Sequence, residues 1–204
     1  MAILIDTNRL PAVFDEVRKV RDAIDRYCLA PDKIPVSLDD IQAAIWELYV
    51  VRVTTRLIPL NSQLLRGVIE IYSNSAIIYV DANLNLANTR YVIAKEICHI
   101  MLMMAENCTI DPVVIVEYFV QDGILGNSTP SHELIVMYEE LTKFGAIELL
   151  FPYHIRAGSM KKLAAGTETL FTLSEWLRMP ENIVEFALSD KYMALCDKIY
   201  QNKR

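Results

Sequence analysis

The chain has 204 residues, of which 53% are hydrophobic and 23% charged, with only 6 Gly and 8 Pro. That excludes a disordered, collagen-like or low-complexity protein and leaves enough apolar material for a real core. Its 20 basic and 26 acidic residues, a formal charge of -6, exclude the electrostatic footprint that duplex DNA or an anionic membrane demands.

In chain order, residues 8–29 space Val13, Val17, Val20, Ile24 and Leu29 for an amphipathic helix with Pro11 in its first turn. A turn spans Pro31 to Pro35. Ser37 then caps a second helix that carries Asp39 and Asp40 in its first turn and reaches about Leu48. The β-branched run from Tyr49 to Leu57 predicts a strand, and GVIEIYS (67–73) and AIIYVDA (76–82), separated by Asn74 and Ser75, predict a hairpin. From about Asn88 to Ala105, capped by Asn88 or Thr89, the sequence is apolar on nearly every side, which marks a buried helix. Residues 113–121 fit a strand or a short helix, and 122–130 a loop. Ser131 caps a long helix from His132 to Phe151, a Gly-punctuated stretch follows, and helical segments at 174–179 and 180–200 close the chain.

The four cysteines, Cys28, Cys98, Cys108 and Cys196, form no C-x-x-C pair and read as reduced thiols of a cytoplasmic protein. MAILIDTNRL lacks the basic region and long apolar stretch of a secretory signal. Charged residues interrupt every apolar run before the roughly 18 residues that a membrane span needs. The mean hydropathy of +0.23 therefore implies a deep core and a surface for a partner or a second copy of the chain.

Within the buried helix, Lys95, Glu96 and His99 share one stripe, and buried polar groups so gathered must meet a partner, a metal or water. The run Ala94-Lys95-Glu96-Ile97-Cys98-His99 has the glutamate and second histidine of H-E-x-x-H, with lysine at the first histidine. In that motif two imidazoles one turn apart hold zinc, while the glutamate polarises its bound water.

The context resembles the ImmA/IrrE family of zinc metallopeptidases, bacterial and phage proteins that act on helix-turn-helix repressors. The resemblance runs through LDDIQAAIWEL, VVRVTTRL, the GVIEIYS and AIIYVDAN hairpin, and TRYVIAKEICHIML, where the family tends to show R-F-x-x-A-H-E-x-x-H. Downstream, EELTKFGAIELLFP (Glu139 to Pro152) is similar to the family's E-x-x-A-N-x-F-A-x-E-L-L-M-P, with Thr142 and Lys143 in place of Ala-Asn. The resemblance implies a single domain over 1–204, its core at about 37–152 and a helical part at 153–204. It implies a zincin-like α+β fold, a small sheet packed on the buried motif helix with further helices C-terminal. It implies Glu96 as catalytic base and His99 and Glu139 as metal ligands.

Lys95 departs from that pattern, because a protonated lysine has donors and no lone pair. The expectation is an incomplete zinc site in a cytoplasmic regulatory protein of a phage or mobile element, which binds a helix-turn-helix repressor or related partner without cutting it. No cofactor is then expected. The alternatives are an active zinc endopeptidase with a substituted ligand drawn from Cys98, Glu140 or His132, and a structural or oligomer-forming α+β protein. If no metal is held, the Lys95 ammonium is expected to stand in for the ion against Glu139 or Glu96. A surface ion pair of Glu139 with Lys143 is the plainer reading of those two residues, and His154 is expected at the surface.

Overall fold

The computed structural model describes residues 9–27, 34–60, 65–105 and 130–201, and there the chain is an α+β protein with eight helices and a three-stranded sheet. The stretch 113–129, expected as a strand or short helix and a loop, lies outside the described residues. None of the described helices is long and apolar enough to cross a membrane.

Helix α1 (Leu10–Tyr27) buries Leu10, Val13, Phe14, Val17, Val20 and Ile24 at helical spacing. Helix α2 (Leu38–Tyr49) begins with a reciprocal cap, Asp40 N–H donating to Ser37 Oγ at 3.0 Å and Ser37 N–H donating to Asp40 Oδ2 at 3.3 Å. It takes in Tyr49, which the sequence placed in a strand. Val50, left-handed at φ 57°, closes the helix by donating its N–H to Trp46 O.

Strand β1 is therefore Arg52–Ile58, followed by β2 (Gly67–Ile71) and β3 (Ser75–Asp81). The expected hairpin is present: β2 runs antiparallel to β3, and Tyr72 N–H donates to Ser75 O at 2.7 Å where the chain turns. The spatial order is β1-β3-β2, with β1 parallel to β3. Ala76, Ile78 and Val80 alternate into the core along the central strand.

Helix α3 (Leu86–Ala105) packs on β2 and β3. It starts earlier than the sequence suggested, because Asn85 and not Asn88 or Thr89 is the cap: its Oδ1 accepts the Asn88 N–H at 2.8 Å. Helix α4 (Pro130–Leu150) lies along α3 as expected and also packs on α1. It opens at Pro130, so Ser131 falls inside the helix. Gly145 permits the close approach, since a Cβ there would sit 3.0 Å from Cys98 Sγ and 3.2 Å from Val13 Cγ1.

Four helices follow, where the sequence suggested two segments: α5 (Tyr153–Ala164), α6 (Leu170–Leu177), α7 (Glu181–Leu188) and α8 (Asp190–Gln201). Among the residues that α5 buries are Arg156 and Ser159, so its inward face breaks the apolar periodicity by which a helix is read. One apolar core runs through Phe14, Ile45, Ile78, Ile97, Ile147 and Tyr192, spanning helices from both ends of the described chain and the central strand.

Candidate functional site

Helix α3 supplies Lys95, Glu96 and His99 from one stripe, and α4 brings Glu139 to them. The Lys95 ammonium donates to Glu139 Oε2 at 2.6 Å and lies 3.2 Å from Glu96 Oε1. His99 Nε2 lies 3.2 Å from Glu139 Oε1 and 3.8 Å from Glu96 Oε2, so its ring N–H bonds Glu139 and passes Glu96 beyond hydrogen-bond range. Both oxygens of Glu139 are thus engaged, one by the ammonium and one by the imidazole.

The cluster is graded from inside to outside. The Glu96 side chain is 4% exposed, His99 10%, Lys95 21% and Glu139 36%, so the pair of carboxylates has one member in the core and one at the mouth. Burial works against a charged Lys95, but Glu96 and Glu139 outweigh it and raise its pKa above the ordinary lysine value. Burial likewise opposes a charged Glu139, yet the His99 hydrogen bond and the Lys95 charge bring it down to about 2. The ammonium is therefore firmly protonated between two carboxylates.

Strand β2 closes the inner side. A Cβ on Gly67 would lie 2.4 Å from Val92 Cγ1 and 3.2 Å from Glu96 Oε1, so only glycine lets the strand press this closely on α3. The sequence reading did not single Gly67 out. A glycine opening an otherwise β-branched run was the available signal.

Glu139 does not pair with Lys143. Lys143 Nζ lies 3.8 Å from Glu140 Oε2 and 5.0 Å over the Phe186 ring. The spacing of four places Lys143 within reach of Glu139, but Lys95 competes from the facing helix. Thr142 is fully buried and returns its hydroxyl to Glu139 O at 3.0 Å. His154 is exposed on α5, as expected, and the side chain of His132 lies outside the described residues.

A catalytic zinc takes three protein ligands with lone pairs directed at it. Here His99 and Glu139 have such donors, but the third position bears an ammonium placed between the carboxylates, so these residues do not fit the ion. Cys98 does not complete the set. It is 1% exposed and packed against Gly145, and burial, followed by the Glu96 charge, keeps its thiol well above the usual cysteine range and so protonated. What the cluster can do is hold two helices together by charge-assisted hydrogen bonds while presenting a carboxylate at the surface. Compared with known proteins, the chain matches no family model and no curated sequence.

Proposed function

We propose that this chain is a zincin-like, ImmA/IrrE-type protein that binds a helix-turn-helix repressor or a related regulatory protein without cleaving it. One observation carries the reading: Lys95 Nζ stands 2.6 Å from Glu139 Oε2 and 3.2 Å from Glu96 Oε1, in the space between the carboxylates that a metallopeptidase would give to its ion. A protonated amine there balances charge but cannot polarise water as a Lewis acid does. The partner class comes from the resemblance carried by TRYVIAKEICHIML and EELTKFGAIELLFP.

The test has a metal arm and a partner arm. Elemental analysis of the full chain, purified without added metal or chelator, is expected to find far less than one zinc per chain; stoichiometric zinc overturns the reading. Lys95→His is expected to raise zinc affinity, because it restores a lone-pair donor one turn before His99. Mixed with a purified helix-turn-helix repressor of the host genome, the chain should form a complex that elutes as one species and leaves both proteins at full mass. Cleavage fragments, or no complex, would count against it.

A further inference from the structure

On one side the three-stranded sheet ends on β1, which pairs with β3 alone. Arg52 N–H donates to Asn74 O at 3.0 Å, and Ile58 O accepts from Ala82 N–H at 3.0 Å, so Arg52, Thr54, Arg56 and Ile58 turn their peptide groups to β3. Val53, Thr55 and Leu57 therefore direct both N–H and C=O outward, and no described residue meets them there. Such a row of donors and acceptors, spaced two residues apart, is what an extended segment pairs with.

Helix α2 stands beside that edge. Asp39, Gln42, Ala43 and Trp46 form one stripe of it and, with Arg52 and Val53, line a cleft of about 340 Å³. Arg52 and Val53 are neighbours whose side chains leave opposite faces of the strand, so the cleft straddles the edge. Trp46 is 48% exposed in its wall, with the Arg52 guanidinium 5.7 Å from the ring centroid, and Leu57 is 60% exposed further along the strand. Arg52 and Arg56 are both exposed, share one face of β1, and have no ion-pair partner among the described residues. Asp39 is the one acid in the cleft's lining, and β1 itself has none.

We propose that the β1 edge and the cleft beside it dock an extended acidic segment of a partner protein, which adds to the sheet as a further strand. Strand addition satisfies the outward peptide groups of Val53, Thr55 and Leu57. Side chains of an added strand alternate between faces, so acids at every second position meet Arg52 and Arg56. The apolar residues between them lie beside Val53 and Leu57, and one reaches the cleft at Trp46. Charge selects this occupant over a second copy of the chain, because pairing two β1 edges brings the arginines of both together. None of the Glu139 cluster takes part, so the edge binds or fails to bind whatever that cluster does.

The probe is a peptide of about eight residues, alternating glutamate and valine, added to the full chain and followed by isothermal titration and amide hydrogen exchange. In the free chain the Val53, Thr55 and Leu57 amides should exchange fast, while those of Thr54, Arg56 and Ile58, bonded to β3, are protected. Saturating peptide should slow exchange at Val53, Thr55 and Leu57 by about tenfold or more, and its affinity should fall with added salt. Two further peptides carry N-methyl groups on one or the other alternate set of residues. One of the two should lose binding, and which one reports whether the segment runs parallel or antiparallel to β1. Arg56→Gln, an exposed change, should weaken binding about threefold, and Lys161→Gln should leave it unchanged. Thr55→Pro removes an outward donor and should abolish binding; should that variant not fold, the methylated peptides make the same test from the ligand's side. No binding up to millimolar peptide, equal binding of the two methylated peptides, a lysine–valine peptide that binds as tightly, or Val53, Thr55 and Leu57 amides already protected in the free chain overturns the site. Protection that appears without peptide and rises with chain concentration also overturns it, and assigns the edge to a second copy.

Discussion

Glu139 and Glu148 sit nine residues apart on the same helix, α4, and each meets a cation, yet the two surroundings differ in every other respect. Glu148 is sealed: its side chain is 4% exposed, Oε2 accepts from Arg156 Nη2 at 2.6 Å, and Oε1 accepts from Tyr200 OH at 2.6 Å and Tyr153 N–H at 2.9 Å. Arg156 is equally occupied, donating to Phe151 O and Cys196 Sγ and lying 4.9 Å over the Tyr192 ring. One charge balances one charge there, and nothing faces water. At Glu139 a single ammonium answers two carboxylates, and the cluster is open at its outer edge. The sealed pair ties α4 to α5 and α8 as a fastening; the open one leaves its outer carboxylate exposed at the mouth of the cluster.

The largest test of that contrast is Arg156→Ala. It strands a buried carboxylate and opens a void, so denaturant unfolding should show a loss of about 3–5 kcal/mol. Lys95→Ala leaves two carboxylates facing each other, Glu96 in the core but Glu139 at the mouth within reach of solvent, and should cost about 2 kcal/mol, less than its sealed counterpart. If Lys95→Ala proves as stable as the parent, the lysine is merely solvated and the two clusters are not comparable. Gly67→Ala probes the inner wall of the open cluster; the stiff Val92 side chain must shift, and overpacking should cost about 1–2 kcal/mol.

The smallest effect is a pH dependence. Because the Glu139 carboxyl falls from its ordinary 4.5 to about 2 on folding, its contribution is present above pH 4.5 and is lost as the pH falls towards 2. At its partly exposed position screening reduces that contribution to about 1 kcal/mol, seen as the difference between the parent and Glu139→Gln in denaturant midpoint against pH. Lys95 acts at the other limit. Its raised pKa makes its contribution fully present below 10.5, to be lost only at more alkaline pH. Between those limits the pair should give no slope, and a midpoint that moves with Lys95 or Glu139 near neutrality would contradict the assignment.

The parts of the molecule that were legible in the sequence are those where one local rule dominates. The Ser37–Asp40 cap and the tight β2–β3 turn are short-range chemistry, although the turn falls at Ser73–Asn74 and not at the expected Asn74–Ser75, and the apolar run over Tyr91–Leu102 is a burial signal that needs no partner to be read. Lys95 and Glu139, 44 residues apart, are brought together in the sequence only by the resemblance of EELTKFGAIELLFP to the family pattern; no periodicity connects them. The reading failed where tertiary structure decides. Tyr49 has strand-like neighbours, but its hydroxyl bonds Glu16 across 33 residues and it stays helical. Helix α5 was missed because its inward side carries Arg156, which finds Glu148 only after α4 is in place. Gly67 looked ordinary for the same reason, since what distinguishes it is how closely Val92 and Glu96 of α3 approach it.

The strand order β1-β3-β2 has a consequence for how the protein is made. During synthesis β1 leaves the ribosome first and β2 second, but neither pairs with the other; both await β3, the central strand and the last of the three to appear. The β2–β3 hairpin closes locally and fast, whereas β1 must return from a greater sequence distance to add itself in parallel. Until then β1 is an unpaired edge in the nascent chain, and the arginines within it, Arg52 and Arg56, are charges that discourage its capture by another copy.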